Sequence, residues 1–358
     1  MESIRRHVVV VALGILISIG PLSVLDPADA QLVPTTALDA HHLLIPGSDS
    51  VADHSKALEE QYRRVWAIVR DNYLHQERLG DWLSWEHRYD GSIQSSDRLY
   101  AVLRQMLESL HDDYTYFRNP AETDAHVETH RTKNVVWHRM LANQIGYLAI
   151  DTFCSDHVIS ETRSALEDLA QARAYVLDLR GNRGGCIDEA SAVFAMIVSE
   201  GKFTTMRGRA EGEAYDEDLL LSDCWISSVS RSDTLTFGRQ PNLTGDKPVM
   251  VLVNGQTRSA AEMLAGAIRE NKRGQLLGTR TFGKGIVQTI WSFPDGTSVK
   301  MATARWFLPS GQCIEGTGLD PDFLVSRPGD KDVQLARAAQ ILHDKLCSSS
   351  KYSVTARR

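Results

Sequence analysis

The sequence predicts an α/β fold, a mixed sheet carrying helices, with a small helical domain ahead of it. Three observations point there. Residues 145–150 (Ile-Gly-Tyr-Leu-Ala-Ile) and 175–179 are short, largely apolar runs, as buried parallel strands are. A helix over about residues 156–171, with Val158, Ile159, Leu166 and Leu169 on one side, joins them into a β-α-β unit. Upstream, two stretches repeat apolar residues at helical spacing, with no strand pattern between them.

In chain order, Arg5 and Arg6 precede an apolar run at 8–24, which Gly20 and Pro21 break. Ala28-Asp29-Ala30 then places small residues where a signal peptidase reads. The run is short for a membrane span. The expectation is a signal peptide over 1–30, cleaved before Gln31, and export to a periplasmic or extracellular space without a membrane span in the mature chain. Residues 31–53 mix Pro, Gly, Ser and Thr without a period and read as a flexible leader.

The helical domain is expected over 54–125. Its first helix starts near Ser55 and aligns Leu58, Tyr62, Val65, Trp66, Val69 and Tyr73. A loop holds Trp82 and Trp85. Ser96 can cap the second helix, whose face is Leu99, Val102, Leu103, Met106, Leu107 and Leu110. The core is expected over 140–328. After the strand at 175–179, Gly184-Gly185 turn the chain into a helix over 188–199. Residues 201–245 read as loops and short strands, one of them at 203–207. Val249–Val253 is a strongly apolar strand. Further strands fall at 274–278, 286–291 and 299–307, the last two joined by the turn Pro294-Asp295-Gly296-Thr297. The last segment, 329–358, reads as a helix to about residue 346 and a disordered polar tail from 348.

The chain has 358 residues and a formal net charge of −7, with both signs interspersed. No dense basic patch appears, so nucleic acid is not an expected partner. The five cysteines, Cys154, Cys186, Cys224, Cys313 and Cys347, lack the paired spacing of a zinc site. No metal or cofactor is expected. In an oxidising compartment some cysteines can pair, and the odd number leaves one over. Oligomeric state is not legible.

The stretch at 257–288 carries the chemistry. Ser259 opens a helix, Lys284 lies between Gly283 and Gly285, and Gln288 follows in the next strand. A serine hydroxyl is a weak nucleophile until a base takes its proton. A buried lysine is such a base, because desolvation disfavours its ammonium form. Gln288 could orient that amine. The same residues fit a plainer reading: Ser259-Ala260-Ala261-Glu262 matches a capping box, in which the serine only satisfies helix amides. Arg258 is a charge beside the serine. Pointing outward it is solvated, which is the reading favoured here. Pointing inward it further disfavours a protonated Lys284.

Three ordered blocks resemble the C-terminal processing (tail-specific) peptidases, serine–lysine endopeptidases related to the tricorn core. They are Val176-Leu177-Asp178-Leu179-Arg180-Gly181-Asn182-Arg183-Gly184-Gly185, the 259–288 stretch with Phe282-Gly283-Lys284-Gly285, and Pro309-Ser310-Gly311 through Ile314-Glu315-Gly316-Thr317-Gly318-Leu319-Asp320-Pro321-Asp322. The resemblance implies a ClpP/crotonase-like core and a secreted serine endopeptidase acting on peptides or unfolded proteins. It implies Ser259 as nucleophile, Lys284 as general base and Gln288 as its orienting partner, with oxyanion-hole amides at Gly185 and Ala260. It also implies that serine and lysine can stand apart until substrate binds. Asp178 and Arg180 read as structural, paired with charged neighbours. The sequence departs from the family at Asp113, where a proline is usual, at Thr257-Arg258 before the serine and at Ala261, where another serine is common, and chiefly in one missing domain. A PDZ domain of roughly 80–100 residues is usual between cap and core, and only residues 119–143 lie there. The alternative is a non-catalytic ligand- or peptide-binding protein on the same scaffold.

Overall fold

The computed structural model describes residues 51–355 apart from 223–224, 231–233 and 327–330. The expected signal peptide, nearly all of the expected leader, and Cys224 lie outside the described residues. Helix α1 (Val51–Asn72) begins inside the stretch read as leader. Helix α2 (Ser96–Glu108) follows two short 3-10 turns that hold Trp82 and Trp85. Its cap is Ser95, not Ser96: the Ser95 side chain accepts from the Arg98 amide at 3.2 Å. The apolar faces of α1 and α2 meet as the spacing predicts, around Tyr62, Val65, Trp66, Val69, Leu99, Leu103 and Met106.

These helices do not close a core of their own. Strand β1 (Tyr116–Arg118) leads to α3 (Pro120–His130), which Asn119 and Glu122 cap reciprocally. Strands β2 (Val136–Leu141) and β3 (Ile145–Ile150) form an antiparallel hairpin. Then come α4 (Val158–Asp168), β4 (Ala174–Asp178) and α5 (Ile187–Ile197). Residues read as loops and short strands form a meander instead: β5 (Gly201–Ala210), β6 (Glu213–Leu221), β7 (Trp225–Ser230) and β8 (Thr234–Gly238). On β6, Asp216 and Asp218 pair with Arg207 and Lys202 of β5. Strand β9 (Val249–Val253), α6 (Ala260–Glu270), β10 (Gly274–Gly278), β11 (Ile286–Ser292), β12 (Ser298–Phe307), β13 (Phe323–Leu324) and α7 (Val333–Thr355) complete the chain. Helix α7 continues well past residue 348, so most of the expected disordered tail is helical.

One sheet runs β13-β10-β9-β4-β3-β2, parallel except for the β2–β3 pair. Its central strands are apolar on both faces because both are covered. Tyr175, Leu177, Val249, Val251 and Val253 face α5 and α6, while Ala174, Val176, Met250 and Leu252 face α7. The second sheet is antiparallel, in the order β1-β12-β5-β6-β7-β8, with β11 also paired to β12. Phe203, Met206, Leu219 and Trp306 of that sheet join the same core as α5 and α6, which are thereby sandwiched. On its other side Val299 and Met301 of β12 pack into the α1–α2 core, and the Leu74 amide donates to the Ala302 carbonyl at 2.9 Å. The described cysteines Cys154, Cys186, Cys313 and Cys347 are unpaired.

Because α1 and α2 share their core with β11 and β12, the helical region and the sheet are expected to unfold together. Leu103, fully buried, tests this. Leu103→Ala should cost about 2–5 kcal/mol. Denaturant curves followed by tryptophan fluorescence and by far-UV circular dichroism should coincide in both proteins. An early fluorescence transition confined to the variant would mean the helices fold as an independent domain.

Candidate active site

The site forms where two strand ends, β4 and β9, release their chains side by side. The Leu179 amide donates to the Leu252 carbonyl at 2.9 Å, and Thr257 Oγ1 donates to the Leu179 carbonyl at 2.8 Å. The Gly181 amide donates to Asn254 Oδ1 at 3.1 Å. Asn182, fully buried, accepts from the Arg258 amide on its carbonyl and from the Gly184 amide on Oδ1. The loop before Ser259 is therefore fastened to the glycine turn. A Cβ on Gly184 would stand 2.9 Å from the Ser259 Cβ, and one on Gly185 would collide with the Phe153 backbone. Only glycines let the turn sit this close.

Ser259 has φ 58° and ψ −125°, a conformation that L side chains avoid. The turn swings the chain directly into α6, which is buried throughout its first nine residues. The next two amides in this corner, Gly185 and Ala260, donate to no acceptor among the described residues.

Glu262 joins the serine to the lysine. Its carboxylate is fully buried and accepts four hydrogen bonds: Thr281 Oγ1 at 2.5 Å, and the amides of Gly283 at 2.7 Å, Lys284 at 2.9 Å and Ser259 at 2.9 Å. Burial pushes its carboxyl up, against the pull of those four donors. Every partner donates, which an ionised carboxylate satisfies and a protonated one does not. The capping-box reading is thus correct for the Ser259 amide and incomplete, because the same carboxylate also shapes the 281–284 loop.

Lys284 Nζ donates to Gln288 Oε1 at 2.6 Å and lies 5.0 Å from the Tyr114 ring centre. Gln288 Nε2 donates to the Tyr114 carbonyl at 2.6 Å, which fixes the amide. A bulge between Val287 and Gln288 sets the strand's register there. The segment 314–318 packs over Gly283 and Gly285, the close backbone approach that those glycines permit. Burial, then the charges of Lys300 and Arg258, hold the Lys284 ammonium down to about 8, with Glu315 opposing them. Arg258 is half-buried, its guanidinium 5.0 Å from the Phe282 ring centre, so the outward solvated reading is replaced by the inward one.

The structure therefore joins Lys284 and Gln288 directly, and joins Ser259 to Lys284 through Glu262. The Lys284 amine bonds to Gln288 rather than to the serine hydroxyl. Sequence reasoning missed Asn182, Asn254, Thr257 and Thr281, whose roles depend on contacts across tens of residues. Asp178 and Arg180 are structural, as read: Arg180 Nη2 lies 2.5 Å from Asp178 and 2.7 Å from Asp332.

These features define a two-sheet α/β protein with a helix-capping serine and a half-buried, easily deprotonated lysine on adjoining loops. A family model described as Peptidase family S41 matches residues 144–325, about half of the chain. The chain belongs to that family. It is 34% identical over 190 residues to a carboxy-terminal-processing protease of Bartonella bacilliformis, covering 51% of this chain and 39% of that one. It is 31% identical over 195 residues to the carboxy-terminal processing protease CtpA of Bacillus subtilis, covering 54% and 37%. The chain thus spans about two fifths of the length of these curated relatives. The solved photosystem II D1 C-terminal processing protease shares the fold at a TM-score of 0.58 and 20% identity, covering 75% of this chain and 93% of that one. A lipoprotein from Streptococcus agalactiae does so at 0.59 and 15%, covering 80% and 96%.

Two substitutions test this construction. Glu262→Gln turns two donors toward the donors already there and should destabilise the fold by about 2–4 kcal/mol, measured by denaturant unfolding. Ser259→Gly should be more stable than Ser259→Ala by about 1 kcal/mol, since only glycine relieves the backbone. Equal stabilities for the two would show that the turn is unstrained.

Proposed function

We propose that this protein is an exported serine endopeptidase that cleaves peptides or unfolded proteins. The observation that carries the reading is the Lys284 amine. It is half-buried, held by Gln288 and depressed to about 8, and the Lys284 main-chain amide is tied through Glu262 to the amide of Ser259. A lysine so placed has little structural use and is suited to act as a base near neutral pH.

In the proposed reaction Ser259 Oγ attacks the scissile carbonyl carbon. The neutral Lys284 amine takes the hydroxyl proton and becomes the ammonium. It then gives that proton to the leaving amine as the C–N bond breaks, leaving an acyl-enzyme. Water repeats the sequence: Lys284 takes its proton, the ester breaks, and the serine hydroxyl is restored. The Gly185 and Ala260 amides receive the oxyanion, worth roughly 3 kcal/mol per donor in comparable sites. Gln288 keeps the amine in place, and a small movement of Lys284 from Gln288 toward Ser259 completes the site when substrate binds. No metal or cofactor enters these steps.

Tail recognition through a PDZ domain has no counterpart in this reading. Helix α3 and strand β2 occupy the interval between β1 and β3. Among the described residues no helix is long and apolar enough to cross a membrane, which is compatible with an exported mature chain.

Peptide cleavage should disappear in Ser259→Ala and in Lys284→Ala, by on the order of 10³-fold or more. The base is the neutral amine, so kcat/KM should rise with pH through about 8, while the ammonium deprotonates, and then level off. A limb near the ordinary lysine value of about 10.4, or activity that survives in Lys284→Ala, would remove lysine from the mechanism.

A further inference from the structure

The sheet face that carries Gln288 also carries two cations, Lys300 and Arg118. Strands β11 and β12 set Gln288 opposite Ala302 and Ile290 opposite Lys300. Strand β1 sets Tyr116 opposite Lys300 and Arg118 opposite Ser298. Residues two apart on a strand share a face, so Gln288, Ala302, Lys300 and Arg118 lie on one face of the sheet. Lys300 is one same-face step, about 7 Å, from the rung that holds the partner of Lys284. Arg118 is its diagonal neighbour on β1. Thr123 of α3 meets Ser298 at 2.9 Å, so the helix bounds the far end of the row. Arg258, one residue before Ser259, enters from the nucleophile loop.

All three cations are incompletely satisfied. Lys300 is half-buried, and its ammonium makes no hydrogen bond or ion pair among the described residues. Arg118 spends Nη2 on the Tyr116 hydroxyl at 3.0 Å, and its Nη1 is buried without a partner. Arg258 Nε is likewise buried and unpartnered. The nearest site carboxylates are committed elsewhere: Glu262 to its four donors, Glu315 to the Gly285 amide. Burial, then Arg118, pushes the Lys300 ammonium down; Cys154 and Cys186 pull the other way, and Arg258 adds a smaller push down. Like charges gathered at a half-buried site, where no carboxylate pairs with them among the described residues, cost free energy. A bound carboxylate relieves that cost and finds charge-assisted donors already waiting.

We propose that Arg118, Lys300 and Arg258 form a carboxylate subsite beside Ser259 and Lys284, so that preferred substrates carry a carboxylate close to the scissile bond. It can be an acidic side chain or the chain's own C-terminal carboxylate. The proposal rests on the peptidase reading for its biological meaning, and its test separates the two.

Matched fluorogenic peptides would be compared with full-length protein: neutral with a free C-terminus, neutral and amidated, amidated with Asp or Glu flanking the scissile bond, and the same with Asn or Gln. One or both carboxylate-bearing forms should be cleaved with a higher kcat/KM than their neutral counterparts, on the order of tenfold or more. Which form wins identifies the source of the carboxylate. That ratio should collapse toward unity in Lys300→Met and in Arg118→Met. Equal turnover of all four peptides, or a preference undiminished in both variants, overturns the subsite. Binding of the same peptides to Ser259→Ala protein, followed by calorimetry, covers the case in which nothing is cleaved. Charge-dependent binding there upholds the subsite while the peptidase reading fails, and binding indifferent to charge rejects it.

Discussion

The Glu262 carboxylate is the interaction on which the site depends. It is fully buried and ionised, and it survives in that state because four donors converge on it. Those donors come from two segments that share no strand pairing: the start of α6 and the loop ahead of β11. One anion therefore fixes the entry angle of the helix and the path of the 281–284 loop together. Buried carboxylates are costly unless fully satisfied. Such a site is stable only when both segments are in place, so it is formed as a unit or not at all.

The surrounding fold makes that arrangement affordable in physical terms. Ser259 occupies a backbone region that costs on the order of 1–3 kcal/mol. The cost is carried by α6, whose first nine residues are buried between two sheets. Burial of Leu264, Ile268 and Met263 contributes several times that amount at about 1.5–3 kcal/mol per fully buried side chain. The helix cannot relax the turn without giving up its packing. The same logic explains the position of the helical region at the front: α1 and α2 brace β12, and Tyr114, which follows α2, supplies the carbonyl that orients Gln288.

Much of this was legible in the sequence because it is written in local pattern. Apolar runs at 145–150 and 249–253 are strands because both their faces are covered, and the period of α1 and α2 marks one buried face each. Ser259, Lys284 and Gln288 stood out through ordered motifs. The meander at 201–238 was not legible, since its strands are amphipathic and carry charges that pair across the sheet. Composition alone makes such strands look like loops. Helix α7 extends into polar residues, where nothing in the apolar period requires it. Glu262 was visible only as a cap. Its second role, and the roles of Asn182 and Thr281, come from contacts made across the fold, which no window of sequence contains.

The cations around Lys284 serve opposing demands. Lys300 and Arg258 help keep the lysine neutral, since a second positive charge nearby disfavours its ammonium form. In the proposed reaction this keeps the amine available as a base while making it a weaker one, and once Lys284 had taken a proton the same repulsion would favour its release to the leaving amine. A carboxylate bound against Lys300 and Arg118 would partly cancel both effects, because it screens the field that Lys284 feels. Binding energy gained there is therefore offset by a weaker push on the proton, and the balance depends on how far the anion sits from the lysine. In the proposed subsite Lys300, a full same-face step from the Gln288 rung, would hold the anion at arm's length rather than against the base. That spacing would let one set of charges attract substrate while leaving the amine largely deprotonated above about 8.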